Sequence, residues 1–158
     1  MNLNPDFNDL LRTFADFEVK YLLIGAHALA VHARPRMTGD LDVWVDPDPA
    51  NADRVYRALA TFGAPLTGMT PADFLDVDTV YQIGVEPGRI DILTGISGVP
   101  DFNAAYARSL RAETDGLIIH VIGRDDFVTN KRASGREKDL LDVASVERIE
   151  RLRGATKK

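Results

Sequence analysis

Two aspartates, Asp40 and Asp42, lie in the segment RMTGDLDVWV, which otherwise alternates like a half-buried β-strand. Aspartate is depleted from strands, and strand geometry sends successive side chains to opposite faces. We therefore expect both carboxylates on one face while Leu41, Val43 and Val45 enter a core. Ionised carboxylates in one small space repel each other, and a divalent cation with oxygen ligands removes that cost. The alternative is a loop or a solvated strand face.

A third aspartate, Asp91, lies in the segment TVYQIGVEPGRIDILTG, where a turn at 86–88 separates two alternating apolar runs and predicts a β-hairpin. Ile90 and Ile92 take one face of the second strand and Asp91 the other. For Asp91 alone, the alternative is an acid at the edge of a hairpin. Three carboxylates on neighbouring strands could bind two Mg²⁺ ions, position a nucleoside triphosphate, and leave Asp91 near an attacking hydroxyl as a general base. Magnesium suits hard oxygen ligands, and the chain has no cysteine.

A glycine precedes these strands. The apolar run YLLIG ends at Gly25, and AHALAVHA follows with helical composition up to Pro35. Strand, glycine turn and helix are predicted, and the free N–H groups at such a helix start favour a phosphate. The alternative role of Gly25 is a tight helix cap.

The C-terminal region from 125 to 153 is helix-compatible and is interrupted only near Gly135. If the helix continues through the glycine, positions 131, 135, 138, 139 and 142 fall on adjoining faces. The alternative is an ordinary amphipathic helix with solvated charges, whose apolar side uses Leu140, Leu141, Ala144 and Val146.

The segment GAHALAVHARPRMTGDLDV resembles the signature of the polymerase-β-like nucleotidyltransferase superfamily: a glycine turn, a helix, then Asp-x-Asp on the next strand. The run R-x-T-x-D-L-D at 36–42 and the later segment NKRASGREKDLLDV resemble the small bacterial nucleotidyltransferases of the abortive-infection AbiEii type and their relatives. The resemblance covers about residues 20–145. It implies an α/β (α+β) fold, the minimal nucleotidyltransferase fold, with a mixed β-sheet flanked by helices and C-terminal helices.

The resemblance also implies roles for individual residues. Asp40, Asp42 and Asp91 would bind metal, two Mg²⁺ ions in all, and would be catalytic together with Lys131. The residues implied in nucleotide binding are Gly25, Ala26, Arg36, Thr38, Lys131, Arg136 and Asp139. Ala26 departs from the glycine or serine usual at its position, but its N–H remains available.

The activity implied is transfer of a nucleoside monophosphate from a triphosphate such as ATP to an acceptor hydroxyl, with release of pyrophosphate. A protein side chain or a transfer RNA end is the implied acceptor, in a toxin–antitoxin or phage-defence setting with a cognate partner. Two alternatives stay open. One is a non-catalytic binding or antitoxin module, and the other is an enzyme that modifies a small molecule such as an antibiotic.

Composition bounds these expectations. At 158 residues and 45% hydrophobic content, the chain fits a single domain over 1–158. The absence of cysteine excludes disulfides and thiolate zinc sites. The sequence has no apolar stretch long enough to cross a bilayer and no leader at 1–11, which makes a cytoplasmic location without membrane contact the default. The net charge of −5, with ten basic and seven acidic residues at 124–158, does not establish nucleic-acid binding.

The alternation of apolar and turn residues predicts the remaining order of elements. Expected helices are 5–17, 26–33, 50–62, 102–109 and the C-terminal region, and expected strands are 20–24, 40–45, the hairpin 79–93 and the run LIIHVIG. Structural roles are expected for His27, His32 and His120, of which only His27 is near the glycine turn.

Overall fold

The chain folds into six helices and six strands, in a computed structural model that describes residues 3–33 and 39–156. The helices are α1 (Pro5–Asp16), α2 (Gly25–His32), α3 (Pro49–Phe62), α4 (Phe102–Ala107), α5 (Arg124–Ser134) and α6 (Glu137–Thr156). The strands are β1 (Tyr21–Ile24), β2 (Leu41–Val45), β3 (Val80–Ile83), β4 (Ile90–Leu93), β5 (Leu110–Thr114) and β6 (Leu117–Val121). A short 3₁₀ helix covers Pro71–Leu75.

The strands form one mixed sheet in the order β3-β4-β2-β1-β6-β5. Strand β2 runs antiparallel to β1 and parallel to β4, and β1 runs parallel to β6. Hairpins join β3 to β4 and β5 to β6. The strand of the Asp-x-Asp motif therefore lies beside the strand of the third aspartate, near the centre of the sheet.

Alternation along β2 divides its side chains between two faces. Leu41, Val43 and Val45 are completely buried in an apolar core that includes the inner sides of α1 and α3. Asp42 lies on the other face with Trp44, which is also buried and packs edge-on against Phe102 of α4 at 5.0 Å between ring centroids. One face of β2 thus anchors the strand while the other carries its polar group.

A buried asparagine fastens the open ends of β1 and β2. Asn51 of α3 is 1% exposed, and its side chain accepts a hydrogen bond from the Lys20 N–H at 2.8 Å. Its amide donates to the carbonyls of Lys20 at 3.0 Å and of Asp46 at 2.8 Å. One side chain therefore satisfies three backbone groups where the central strand pair leaves the sheet, as buried backbone polar groups require.

The structure confirms the predicted mixed α/β architecture, the glycine-to-helix junction and the hairpin at 79–93, with ends shifted by one or two residues. Strand β5 was not predicted, and the expected helix at 102–109 stops at Ala107 to make room for it. The C-terminal helix does not continue through Gly135, which has a φ of +67° and ends α5. Of the four residues expected on its apolar side, only Val146 is buried; Ala144 is exposed, and Leu140 and Leu141 are 50% and 64% exposed.

Within residues 3–33 and 39–156, no helix combines the length and the apolar character needed to cross a bilayer.

Replacing Asn51 by alanine should destabilise the fold, because the Lys20 N–H and the Asp46 carbonyl would lose a buried partner, while the Lys20 carbonyl would keep only the Asp46 N–H. We expect a loss of about 2–4 kcal/mol in the free energy of unfolding, measured by urea denaturation. The matched control on the same helix is Asp53→Ala, which removes only an exposed ion pair with Arg57. That change should alter stability by less than about 0.5 kcal/mol. Equal effects of the two substitutions would contradict the role given to Asn51.

Candidate active site

Asp42 and Asp91 lie side by side at the centre of the sheet. They are register partners on the parallel strands β2 and β4, so their side chains project from the same face. A hydrogen bond links the two carboxyl groups, and Asp91 is 8% exposed. The two acids that the sequence places on separate strands are therefore direct neighbours.

This pairing changes the acidity of Asp42. Burial, with the charge of Asp91 and the hydrogen bond to it, raises the pKa of Asp42 to about 6, while the charge of Lys131 acts in the opposite direction. Two carboxylates at this spacing cannot both ionise without cost unless a cation lies between or beside them. The two carboxylates therefore repel each other in the folded protein, and a bound cation would offset that unfavourable energy.

Asp40 precedes β2 and is held by Arg89 rather than by the acid pair. One of its carboxylate oxygens accepts a hydrogen bond from the Arg89 N–H at 3.1 Å, and the other lies 3.7 Å from Nη2 of the same residue. The Arg89 guanidinium also donates to both oxygens of Asp91, from Nε at 2.8 Å and from Nη2 at 3.2 Å. Its Nη1 lies 3.1 Å from Glu86. Arg89 therefore bridges Asp40 and Asp91.

The donor set fits a hard divalent cation only in part. Among the described residues, no three carboxylate or imidazole side chains are grouped closely enough to hold a metal ion as they stand. Asp42 and Asp91 supply adjacent oxygen ligands with mutual repulsion, which is the chemistry that Mg²⁺ or Mn²⁺ relieves. Asp40 can join them only if its contact with Arg89 opens. The pair fits the ion, and the third ligand requires a rearrangement of Arg89.

Gly25, the first residue of α2, lies directly against Asp42. Its φ is +67°, and a Cβ atom built there would lie 2.3 Å from Oδ2 of Asp42. A side chain at this position would be strained and would push the Asp42 carboxylate away. Glycine is thus needed here for close approach to the acid, and it also begins α2, whose N-cap residue Ile24 makes no side-chain capping hydrogen bond.

The cationic side of the site comes from the junction of α5 and α6. Lys131 is 6% exposed and lies 3.3 Å from Asp139 and 3.4 Å from Asp142. Asp139 is completely buried and also accepts hydrogen bonds from Arg136, at 2.8 Å from Nε. Burial raises the pKa of Asp139, but hydrogen bonding to Arg136 and the charge of Lys131 outweigh it, so the pKa is lowered. Asp139 stays ionised and positions both cations.

These groups line one cavity of about 400 Å³. The sequence-predicted site residues on its wall are Gly25, Ala26, Asp40, Asp42, Asp91, Lys131 and Arg136. Asp139 is not on the wall and acts through Lys131 and Arg136. Arg36 and Thr38 lie outside the described residues. Arg89 and Lys138 also line the cavity. Sequence reasoning missed Arg89, and it grouped position 138 with position 131 without giving it a role in the site. The signal for Arg89 was its spacing of two from Asp91, which places both on one side of β4.

The three histidines are not among the residues that line this cavity, although His27 contacts Asp40, which does. The ring of His27 packs edge-on against Phe7 at 5.5 Å, and burial lowers its pKa. His32 lies 2.7 Å from the Ile122 carbonyl through Nε2, and His120 packs between the rings of Tyr21 and Tyr106. Their contacts fit the structural roles expected from the sequence.

Two solved structures share this architecture. A Thermotoga maritima protein assigned as a nucleotidyltransferase aligns over 99% of this chain and 96% of its own, with a TM-score of 0.55 and 17% identity. The lincosamide antibiotic adenylyltransferase LnuA, with lincomycin bound, aligns over 93% of this chain and 98% of its own, with a TM-score of 0.58 and 16% identity. No protein-family model matches the chain, and neither does any curated protein. The chain has the nucleotidyltransferase fold.

Replacing Asp42 by asparagine should stabilise the metal-free protein. The raised pKa means that the folded state binds more protons than the unfolded state between about pH 4 and pH 6. Stability of the wild type therefore falls as the pH rises through that window and stays lowered above it. We expect Asp42→Asn to gain on the order of 2 kcal/mol at pH 7.5 and almost nothing at pH 4, by urea unfolding in EDTA.

The control for this measurement is Asp53→Asn, because Asp53 is an exposed acid on α3 with 53% of its side chain accessible. It should follow the wild type at both pH values. If Asp42→Asn were less stable than the wild type at pH 7.5, repulsion between Asp42 and Asp91 would not be lowering the stability of the folded protein.

Proposed function

We propose that the protein is a metal-dependent nucleotidyltransferase that moves a nucleoside monophosphate from a nucleoside triphosphate to an acceptor hydroxyl. The observation that carries the proposal is the Asp42–Asp91 pair on neighbouring strands beside Gly25, in a cavity whose far wall holds Lys131 and Arg136. The nucleotidyltransferase fold supports it. A purely binding module has no need for two acids that repel each other.

The reaction forms one bond and breaks one. The acceptor oxygen attacks the α-phosphorus, the bond from that phosphorus to the oxygen bridging the β-phosphate breaks, and pyrophosphate leaves with that oxygen. The acceptor proton passes to Asp91 and then to solvent. Bound Mg²⁺, held by Asp42 and Asp91 and by Asp40 once it is released from Arg89, would neutralise charge on the phosphates.

The cationic residues are proposed to bind different parts of the triphosphate. Lys131 is buried and fixed by two carboxylates, so it presents an ammonium group without losing side-chain freedom on binding. Arg136 is more exposed, at 62% of its side chain, and can follow the outer phosphates and the departing pyrophosphate. The N–H groups at the start of α2, including that of Ala26, would bind phosphate oxygens.

The setting and acceptor belong to the proposal as well. The resemblance of R-x-T-x-D-L-D and the Lys131 segment to AbiEii-type proteins favours a toxin–antitoxin or phage-defence role, with a cognate partner and a protein or transfer RNA acceptor. This part rests on the motif alone. The neighbour LnuA is an antibiotic adenylyltransferase, which favours a small-molecule acceptor and ATP as the donor.

Catalysis is tested by incubating the protein with Mg²⁺, each α-³²P-labelled triphosphate and a bacterial extract. We expect at least one triphosphate to transfer label to the extract, with equimolar pyrophosphate. Asp42→Asn and Asp91→Asn should each lower the rate by roughly 10³-fold, because several kcal/mol of charge stabilisation is lost. Asp53→Asn is the matched control and should retain the wild-type rate. Absence of labelling with all triphosphates, or labelling that survives Asp42→Asn, would favour the non-catalytic module.

Arg89 should compete with the metal ion for the carboxylates. Replacing Arg89 by glutamine removes the guanidinium contacts with both oxygens of Asp91 and with one oxygen of Asp40. We expect Mn²⁺ to bind Arg89→Gln about three- to tenfold more tightly than the wild type at pH 8, measured by isothermal titration calorimetry. Arg57→Gln removes an exposed arginine from an ion pair on α3 and serves as the control. Weaker Mn²⁺ binding by Arg89→Gln would show that the guanidinium does not occupy the cation position.

A further inference from the structure

A second, larger cavity adjoins the candidate active site. Its volume is about 770 Å³, and it shares the segment 95–97 with the smaller cavity that holds the acid pair. Trp44 and Asp46 line it, and they follow Asp42 at intervals of two on the same face of β2. At a rise of about 3.3 Å per residue, Trp44 lies only about 7 Å along the strand from Asp42. A molecule in this cavity can therefore reach the acids with one end.

Much of the wall is apolar. Trp44 and Phe102 form an aromatic corner, and Ile96 and Val99 continue it. Val77 and Val80 line the rim with 58% and 54% of their surface exposed, which is costly for valine unless something covers them. The indole N–H of Trp44 is buried and has no hydrogen-bond partner among the described residues. A ligand oxygen beside the ring, reached by a small shift of the indole, would satisfy this donor.

The charges on the wall all have one sign. Asp46, Asp78 and Asp101 line the cavity, and the described wall includes no lysine, arginine or histidine. The smaller cavity differs, because Arg89, Lys131, Arg136 and Lys138 contribute to it. A polyanion such as RNA would be repelled by the larger cavity, whereas a triphosphate suits the smaller one. A volume of this size is typical of sites for small molecules.

We propose that the larger cavity binds the acceptor, and that the acceptor is a small molecule carrying a hydroxyl group and a protonated amine on a partly apolar body. The amine binds at the acidic wall to which Asp46, Asp78 and Asp101 contribute. The body packs on Trp44 and Phe102, and the hydroxyl extends past Ile96 toward Asp91. This inference rests on the proposed function and narrows its acceptor to small amino alcohols, in place of a transfer RNA end or a protein.

Binding can be measured without activity, since Trp44 is the single tryptophan of the chain and reports on the cavity by fluorescence. The probes are ephedrine and norephedrine, each compared with its N-acetylated form, which keeps the hydroxyl group and loses the positive charge. We expect at least one amino alcohol to bind tenfold more tightly than its acetylated form, and less tightly as salt is raised. The inference is overturned if neither amine is preferred, or if a short RNA binds better and changes the Trp44 emission.

Two variants assign the binding to the cavity. Asp78→Asn removes one charge from the rim and should weaken amine binding about threefold to tenfold, with the affinity for ATP unchanged. Asp53→Asn is the control from the outer surface and should leave both affinities unchanged. Loss of amine binding in both variants, or in neither, would contradict the assignment.

The transfer reaction separates this inference from the proposed function. Label from an α-³²P triphosphate should appear in compounds of the extract that are under 1 kDa and that gain one negative charge when their amine is acetylated. Label on RNA or protein would support the transferase activity and would overturn the inference that the acceptor is a small molecule. No label at all would overturn the proposed transferase activity. The fluorescence measurements would then test only whether the larger cavity binds amino alcohols.

Discussion

The repulsion between two carboxylates that share one position in the sheet is the constraint on which the site depends. Parallel pairing of β2 and β4 makes Asp42 and Asp91 register partners, and a hydrogen bond links their carboxyl groups. The structure answers this repulsion with a raised pKa at Asp42 and with Arg89 against Asp91. A buried charge is tolerated only when it is paired with an opposite charge. A metal ion could replace Arg89 as the partner of Asp91.

The surrounding fold serves to hold that pair in place. Leu41, Val43 and Val45 anchor β2 in the core, and Asn51 closes its far end. Gly25 brings the start of α2 against Asp42 at a distance that no side chain would permit. The same face of β2 continues to Trp44, so one strand contributes to both the nucleotide cavity and its larger neighbour. Small shifts of β2 would therefore alter both cavities together.

The sequence predicted the elements whose apolar pattern is strong and missed those set by tertiary contacts. Alternation around Asp42 and Asp91 was sufficient for β2 and the hairpin, because burial of one face fixes the strand period. Strand β5 has the polar sequence LRAET and is mostly exposed at the sheet edge, so it gave no such signal. The role of Lys131 depends on a bend at Gly135 that folds α6 back to bring Asp139 and Asp142 to it. Helical spacing across that bend had no bearing on the contact.

The most direct test is a crystal of the protein grown with Mn²⁺ and a non-hydrolysable nucleoside triphosphate analogue, with anomalous diffraction recorded for manganese. We predict a manganese peak within coordination distance, about 2.2 Å, of both Asp42 and Asp91, with Arg89 displaced from Asp91. A manganese peak that contacts neither aspartate, with Arg89 still bound to Asp91, would contradict the central claim.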